Sequence, residues 1–130
     1  MLELSLRREV ITVARTMNEI GLNHGASGNV SVRHGDKILI TPSGLSYDHC
    51  CPEDIVLLQM DEMTQGRRKP SSEWRLHLDI YRAGPDARAI LHVHSPWCTT
   101  LACLDREIPS FHYMVAMAGG DTIRCAPYAL

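Results

Sequence analysis

Residues 29–41 read NVSVRHGDKILIT, and this stretch decides the fold. Asn29 to Arg33 alternates polar and apolar residues, the period-two pattern of a strand with one face buried. Lys37 to Thr41 is a second short strand, and Gly35-Asp36 between them is a turn signal, so the pair predicts a β-hairpin. Upstream, residues 3–22 carry apolar side chains at Leu6, Val10, Val13 or Ala14, Met17 and Ile20, with Arg7, Arg8, Glu9 and Arg15 between them. That spacing predicts an amphipathic helix, which Gly21 stops.

Downstream, TPSGLSYDHCCPE at 41–53 is a loop, Ile55–Met60 an apolar strand, and residues 61–70 a charged turn ending at Pro70. A second helix is expected from Ser71 or Ser72 to about Ala83, before Gly84-Pro85. Ala89–His94 reads as a strand, Pro96 opens a third helix to about Leu104, and Ile123–Cys125 is a further strand. Helices and strands interleave over 130 residues and 14.5 kDa, so the expectation is one α/β domain covering 1–130.

Composition narrows the function classes. Hydrophobic residues make 45% of the chain and charged ones 22%, which argues against disorder. Thirteen Lys and Arg against 15 Asp and Glu leave a formal charge of -2, with no global pull toward nucleic acid or an anionic membrane. No apolar run approaches the roughly 18 residues of a membrane span. The opening MLELSLRREV has charges where a secretory signal has its apolar core. Five cysteines without CxxC spacing read as reduced thiols of a cytoplasmic protein, with Cys98, Cys103 and Cys125 expected in the core.

Three features carry chemistry. His92 and His94 stand at i and i+2, so on one strand their imidazoles share a face, which suits a zinc-type ion. Two solvent-facing histidines on an edge strand are the competing reading. Glu73 follows Pro70-Ser71-Ser72 in the first turn of the second helix, where a carboxylate is also plain helix chemistry. His77, one turn on, reads as a packing residue or a surface hydrogen-bonding one. Lastly, Gly25–Asn29, Thr41-Pro42-Ser43-Gly44 and Ser71-Ser72 offer hydroxyls and glycine-exposed amides that suit a phosphate, although each alone is an ordinary turn. The basic trio Arg67-Arg68-Lys69 either adds attraction or is a solvated turn.

In order, Gly28-Asn29-Val30-Ser31-Val32-Arg33, Thr41-Pro42-Ser43-Gly44, Pro70-Ser71-Ser72-Glu73-Trp74-Arg75 and the pair His92 and His94 resemble the class II aldolase/adducin family. Ile108-Pro109, His112-Tyr113-Met114, Ala118-Gly119-Gly120 and Cys125-Ala126-Pro127-Tyr128-Ala129 extend the likeness over nearly the whole chain. The resemblance implies a three-layer fold with a largely antiparallel central sheet flanked by helices. It implies His92, His94 and Glu73 as zinc ligands, with Glu73 also the acid/base. Asn29, Ser43, Gly44, Ser71 and Ser72 would bind the substrate phosphate, and Tyr113 would donate a proton in a neighbouring subunit of a homotetramer. The implied reaction is cleavage of a ketose 1-phosphate, of the L-fuculose 1-phosphate kind, to dihydroxyacetone phosphate and a lactaldehyde-like aldehyde. Pentulose-phosphate 4-epimerisation, an adducin-like interaction module and an inactive fragment are the alternatives. The family's third histidine, in a downstream His-His-Gly-type segment, has no counterpart before Leu130, so the reading expects a fold incomplete at its C-terminal end.

Overall fold

The computed structural model describes residues 3–128; Ala129, which closes the last quoted segment, lies outside them. The chain divides into two compact units, Met1–Val93 and His94–Leu130.

The first unit is built on the predicted hairpin. Strand β1 (Asn29–His34) pairs antiparallel with β2 (Lys37–Ile40), and His34 stands opposite Lys37 across the two-residue Gly35-Asp36 turn. β3 (Val56–Gln59) adds to β2, and β4 (Thr64–Gln65) adds to β3 inside the segment expected to be only a charged turn. After helix α2 (Trp74–Ala83), strand β5 (Ala89–His92) returns to lie against β1. The order is β4-β3-β2-β1-β5, with every pairing antiparallel.

Period-two alternation gives the sheet two buried faces. Val30, Leu39 and Leu57 pack with Val10, Ile11, Ala14 and Met17 of helix α1 (Leu4–Glu19). On the other face Ile38, Ile40, Val56 and Leu58 pack with Leu78 and Tyr81 of α2. Helix, sheet and helix therefore form three layers, as the resemblance implied. Each fully buried aliphatic side chain contributes about 1.5–3 kcal/mol relative to exposure, so both faces matter to stability.

Gly21 ends α1 as expected. At φ +73° it lets the Leu22 N–H reach the Met17 carbonyl and its own N–H reach that of Asn18. The helix stops at Glu19, so Ile20 becomes the cap and is exposed, not part of the apolar stripe. Arg7, expected on the polar side, is buried because its guanidinium donates to the carbonyls of Pro52 and Ile55.

The second unit holds helix α3 (Pro96–Cys103), a 3-10 turn (Tyr113–Ala118) and a single bridge between Ile108 and Ile123. That bridge replaces the expected strand at Ile123–Cys125. No residue of α3 is buried. Cys98 and Cys103 are accordingly exposed and Cys125 half-buried, contrary to the expectation of core thiols, because a cysteine buries only where another element covers it. Cys50 is the buried one, and burial pushes its thiol up to about 11. Among the described residues no helix is long and apolar enough to cross a membrane.

Candidate functional site

Glu73 is the N-cap of α2 and not a member of its first turn, and its carboxylate makes no capping bond. The helix start is held instead by Ser71, whose hydroxyl accepts from the Glu73 N–H at 3.3 Å while its carbonyl accepts from the Trp74 N–H at 3.1 Å. The Glu73 carboxylate is thereby free to turn toward the sheet. It lies 2.7 Å from Nδ1 of His92 and accepts from Nδ2 of Asn29 at 2.6 Å. The helix-chemistry reading of Glu73 thus gives way to a side chain aimed at two strand residues.

The strand partners are fixed by register. Asn29 and His92 face each other across the β1–β5 pair, so their side chains emerge from the same face beside the start of α2. Gly28 permits the close approach there: a Cβ at this position would sit 2.5 Å from the His92 carbonyl oxygen and 2.8 Å from Oδ1 of Asn23. The Tyr47 hydroxyl also donates to the Gly28 carbonyl.

β5 ends at His92, and His94 lies beyond it, so the two histidines do not share one strand as expected. β1 begins at Asn29, the partner of His92, which leaves no ladder for Val93 and His94 to continue. His94 is the first residue of the second unit.

Behind Glu73 runs a buried polar array. His77 is fully buried; its Nε2 meets Oδ1 of Asn29 and its Nδ1 lies 2.7 Å from the Ser31 hydroxyl, which lies 2.9 Å from the Tyr81 hydroxyl. Arg33 donates to the Tyr81 carbonyl and stacks over its ring at 4.7 Å. Desolvation lowers His77 to about 4, with His92 adding to the effect and Glu73 opposing it. His77 is therefore a neutral core imidazole and not a surface hydrogen-bonding residue. The sequence carried a signal for this array: Asn29, Ser31 and Arg33 recur every two residues on β1, and Glu73, His77 and Tyr81 every four along α2. Four helical residues advance about 6 Å and two strand residues about 6.6–6.8 Å, so the two series stay in step.

Ser43, Ser71 and Ser72 line one cleft with Lys69, Pro70 and Trp74, a space of about 410 Å³. An antiparallel bridge between Pro42 and Pro70 draws the two loops together, with the Ser43 N–H on the Lys69 carbonyl and the Ser71 N–H on that of Thr41. Gly44 follows Ser43 at φ +67°. Asn29 is not among the residues lining this cleft, since its amide meets Glu73 and His77. Of the basic trio, Arg67 and Arg68 both place Nε 2.9 Å from the buried carboxylate of Asp54, which leaves Lys69 at the cleft. In the second unit Tyr113 opens the 3-10 turn, is exposed, and lines a hollow of about 300 Å³ with Phe111, His112 and Val115.

The family model described as Class II Aldolase and Adducin N-terminal domain matches residues 8–130. Among curated proteins, the chain is 53% identical over 126 residues to a 5-methylthioribulose-1-phosphate/5-deoxyribulose-1-phosphate aldolase of Rhodospirillum rubrum, an alignment covering 97% of this chain and 57% of that protein. It is 45% identical over 124 residues to an L-fuculose phosphate aldolase of Escherichia coli, covering 95% of this chain and 58% of that protein. A solved L-fuculose 1-phosphate aldolase superposes with a TM-score of 0.94 at 37% identity, over 100% of this chain and 62% of the other. The chain thus spans less than two thirds of the length of these relatives. With the family match running through the helices, the sheet and the serine-lined loops, the chain belongs to the class II aldolase and adducin family.

Proposed function

We propose that this protein is a metal-dependent, zinc-type aldolase that cleaves a ketose 1-phosphate to dihydroxyacetone phosphate and an aldehyde. The observation that carries the proposal is the meeting of the Glu73 carboxylate with the His92 imidazole at 2.7 Å, beside a serine-lined cleft. One oxygen and one nitrogen donor, both partly accessible to solvent, fit a borderline divalent ion such as Zn²⁺. His94, two residues on in the chain, is the third proposed holder, in line with the family resemblance. A divalent ion held there supplies Lewis-acid polarisation of a substrate carbonyl.

The protein's own residues have separate parts. Glu73 moves the proton at the carbon beside the carbonyl, work worth about two to four orders of magnitude in rate. Ser43, Gly44, Ser71 and Ser72 hold the phosphate and so fix the reacting carbons. Asn29, grouped with them by the resemblance, has its amide on Glu73 and His77, so its proposed part is to hold the acid/base. Tyr113, from a neighbouring subunit of a homotetramer, takes the proton from the hydroxyl that becomes the aldehyde oxygen in cleavage and returns it in the synthetic direction. Residues 1–130 act as one domain of a cytoplasmic protein, with no nucleic acid or membrane partner.

The relatives' names favour a second substrate beside L-fuculose 1-phosphate: the 53% identical protein is named for 5-methylthioribulose and 5-deoxyribulose 1-phosphates. Retention of Glu73, His92 and His94 speaks against a non-catalytic interaction module, and glutamate at 73 followed by Trp74-Arg75 speaks against the epimerase. Coupled detection of dihydroxyacetone phosphate from each of the three ketose 1-phosphates, with a pentulose 5-phosphate as control, tests the proposal. Release from at least one, lost on chelation and in His92→Ala, is expected. Absence of release together with zinc binding that His92→Ala leaves unchanged overturns it.

A further inference from the structure

We propose that Tyr81, Ser31 and His77 are positioning residues: they form a one-way hydrogen-bond relay that locks the Asn29 amide with its N–H toward Glu73. The direction follows from donor and acceptor counting. Asn29 donates from Nδ2 to the Glu73 carboxylate, so its Oδ1 faces His77. The His77 nitrogen on that side, Nε2, therefore carries the hydrogen. Burial keeps the ring neutral at physiological pH, so Nδ1 is the acceptor and Ser31 Oγ donates to it. With its hydrogen committed, Ser31 accepts from Tyr81. Every hydrogen in the series then points toward the carboxylate, and each bond polarises the next.

Nothing in the array is replaceable by water. Asn29, Ser31, His77 and Tyr81 are 2%, 0%, 0% and 1% exposed, so an amide flipped at Asn29 would set its oxygen against the carboxylate with no solvent to compensate. Arg33, on the Tyr81 carbonyl and ring, holds the far end of the relay. The part these residues play in turnover rests on the aldolase reading; the hydrogen-bond order does not.

The test uses the full chain labelled with ¹⁵N at histidine and asparagine. At neutral pH, the His77 spectrum is expected to show protonated Nε2 and bare Nδ1, and one Asn29 amide proton is expected to be shifted downfield and protected from exchange. Ser31→Ala and Tyr81→Phe should each weaken that protection, with Ser31→Ala also mixing in the other tautomer. In turnover, His77→Leu should lower kcat about tenfold with KM changed less than about twofold, and His77→Gln, which keeps an N–H at the Nε2 position, should restore most of it. A wild-type His77 protonated at Nδ1, or an Asn29 amide unaffected by both variants, overturns the relay. The expected tautomer in a chain that releases no dihydroxyacetone phosphate supports the relay and removes the aldolase reading instead.

Discussion

Asn29 and His92 stand directly opposite each other across β1 and β5, and both reach the same Glu73 carboxylate. One side chain reaches in from the end of a central strand and the other from the end of its neighbour, so the ladder itself sets the spacing. Replacement of Glu73 by Gln keeps the size and removes the charge. Turnover should fall by about two to four orders of magnitude while the melting temperature holds, measured by dihydroxyacetone phosphate release and calorimetry.

Gly28 sets how closely β5 can approach. Its Ala variant would place a methyl 2.5 Å from the His92 backbone oxygen, and the contact is with main chain that cannot rotate away. Denaturant unfolding of Gly28→Ala should show a loss of about 1–3 kcal/mol. Zinc affinity, followed by titration, should fall with it because His92 is displaced.

Asp54 is buried beneath Arg67 and Arg68. Burial alone would raise its pKa, but the Cys51 N–H, the two guanidiniums and the Cys51 thiol outweigh it and hold the carboxyl well below the usual range. Its folded value lies below its unfolded one, so its stabilisation is complete above the ordinary carboxylate range and is lost as pH falls toward the folded value. The two arginines are half-exposed, so solvent screening limits the effect. Asp54→Asn should cost about 1–3 kcal/mol at neutral pH in urea melts, and the gap from the parent should narrow in acid.

His77 works in the same direction through a base. Burial lowers it from 6.5 to about 4, so between those values the unfolded chain binds a proton that the folded chain refuses. Stability should therefore decline as pH falls from about 6.5 to about 4, by up to about 3 kcal/mol. His77→Gln should flatten that part of the pH–stability curve, as followed by thermal melts.

The hairpin at 29–41, the Gly21 stop and the second helix were legible because each is written in a local period or a turn residue. The small strand β4 was not, because Thr64-Gln65 lacks a pattern and exists only through its pairing with β3. The His92 and His94 spacing reads as one continuous strand, but strand length is a property of the partner, and β1 begins at Asn29. His77 shows a further limit. Helical spacing puts it below Glu73, yet only the register of α2 on β1 reveals that Asn29 and Ser31 satisfy both ring nitrogens. The core cysteines were misjudged because residue preference cannot say which helix is covered.

The near-equal advance of two residues on β1 and four on α2 makes that part of the chain intolerant of length change. One residue added or removed between Glu73 and Tyr81 would swing the downstream side chains about a quarter-turn around the helix axis and part the rungs. Descendants of this gene can vary the loops before Pro42 or after Gly84 far more freely than the span that joins the carboxylate to its buried supports.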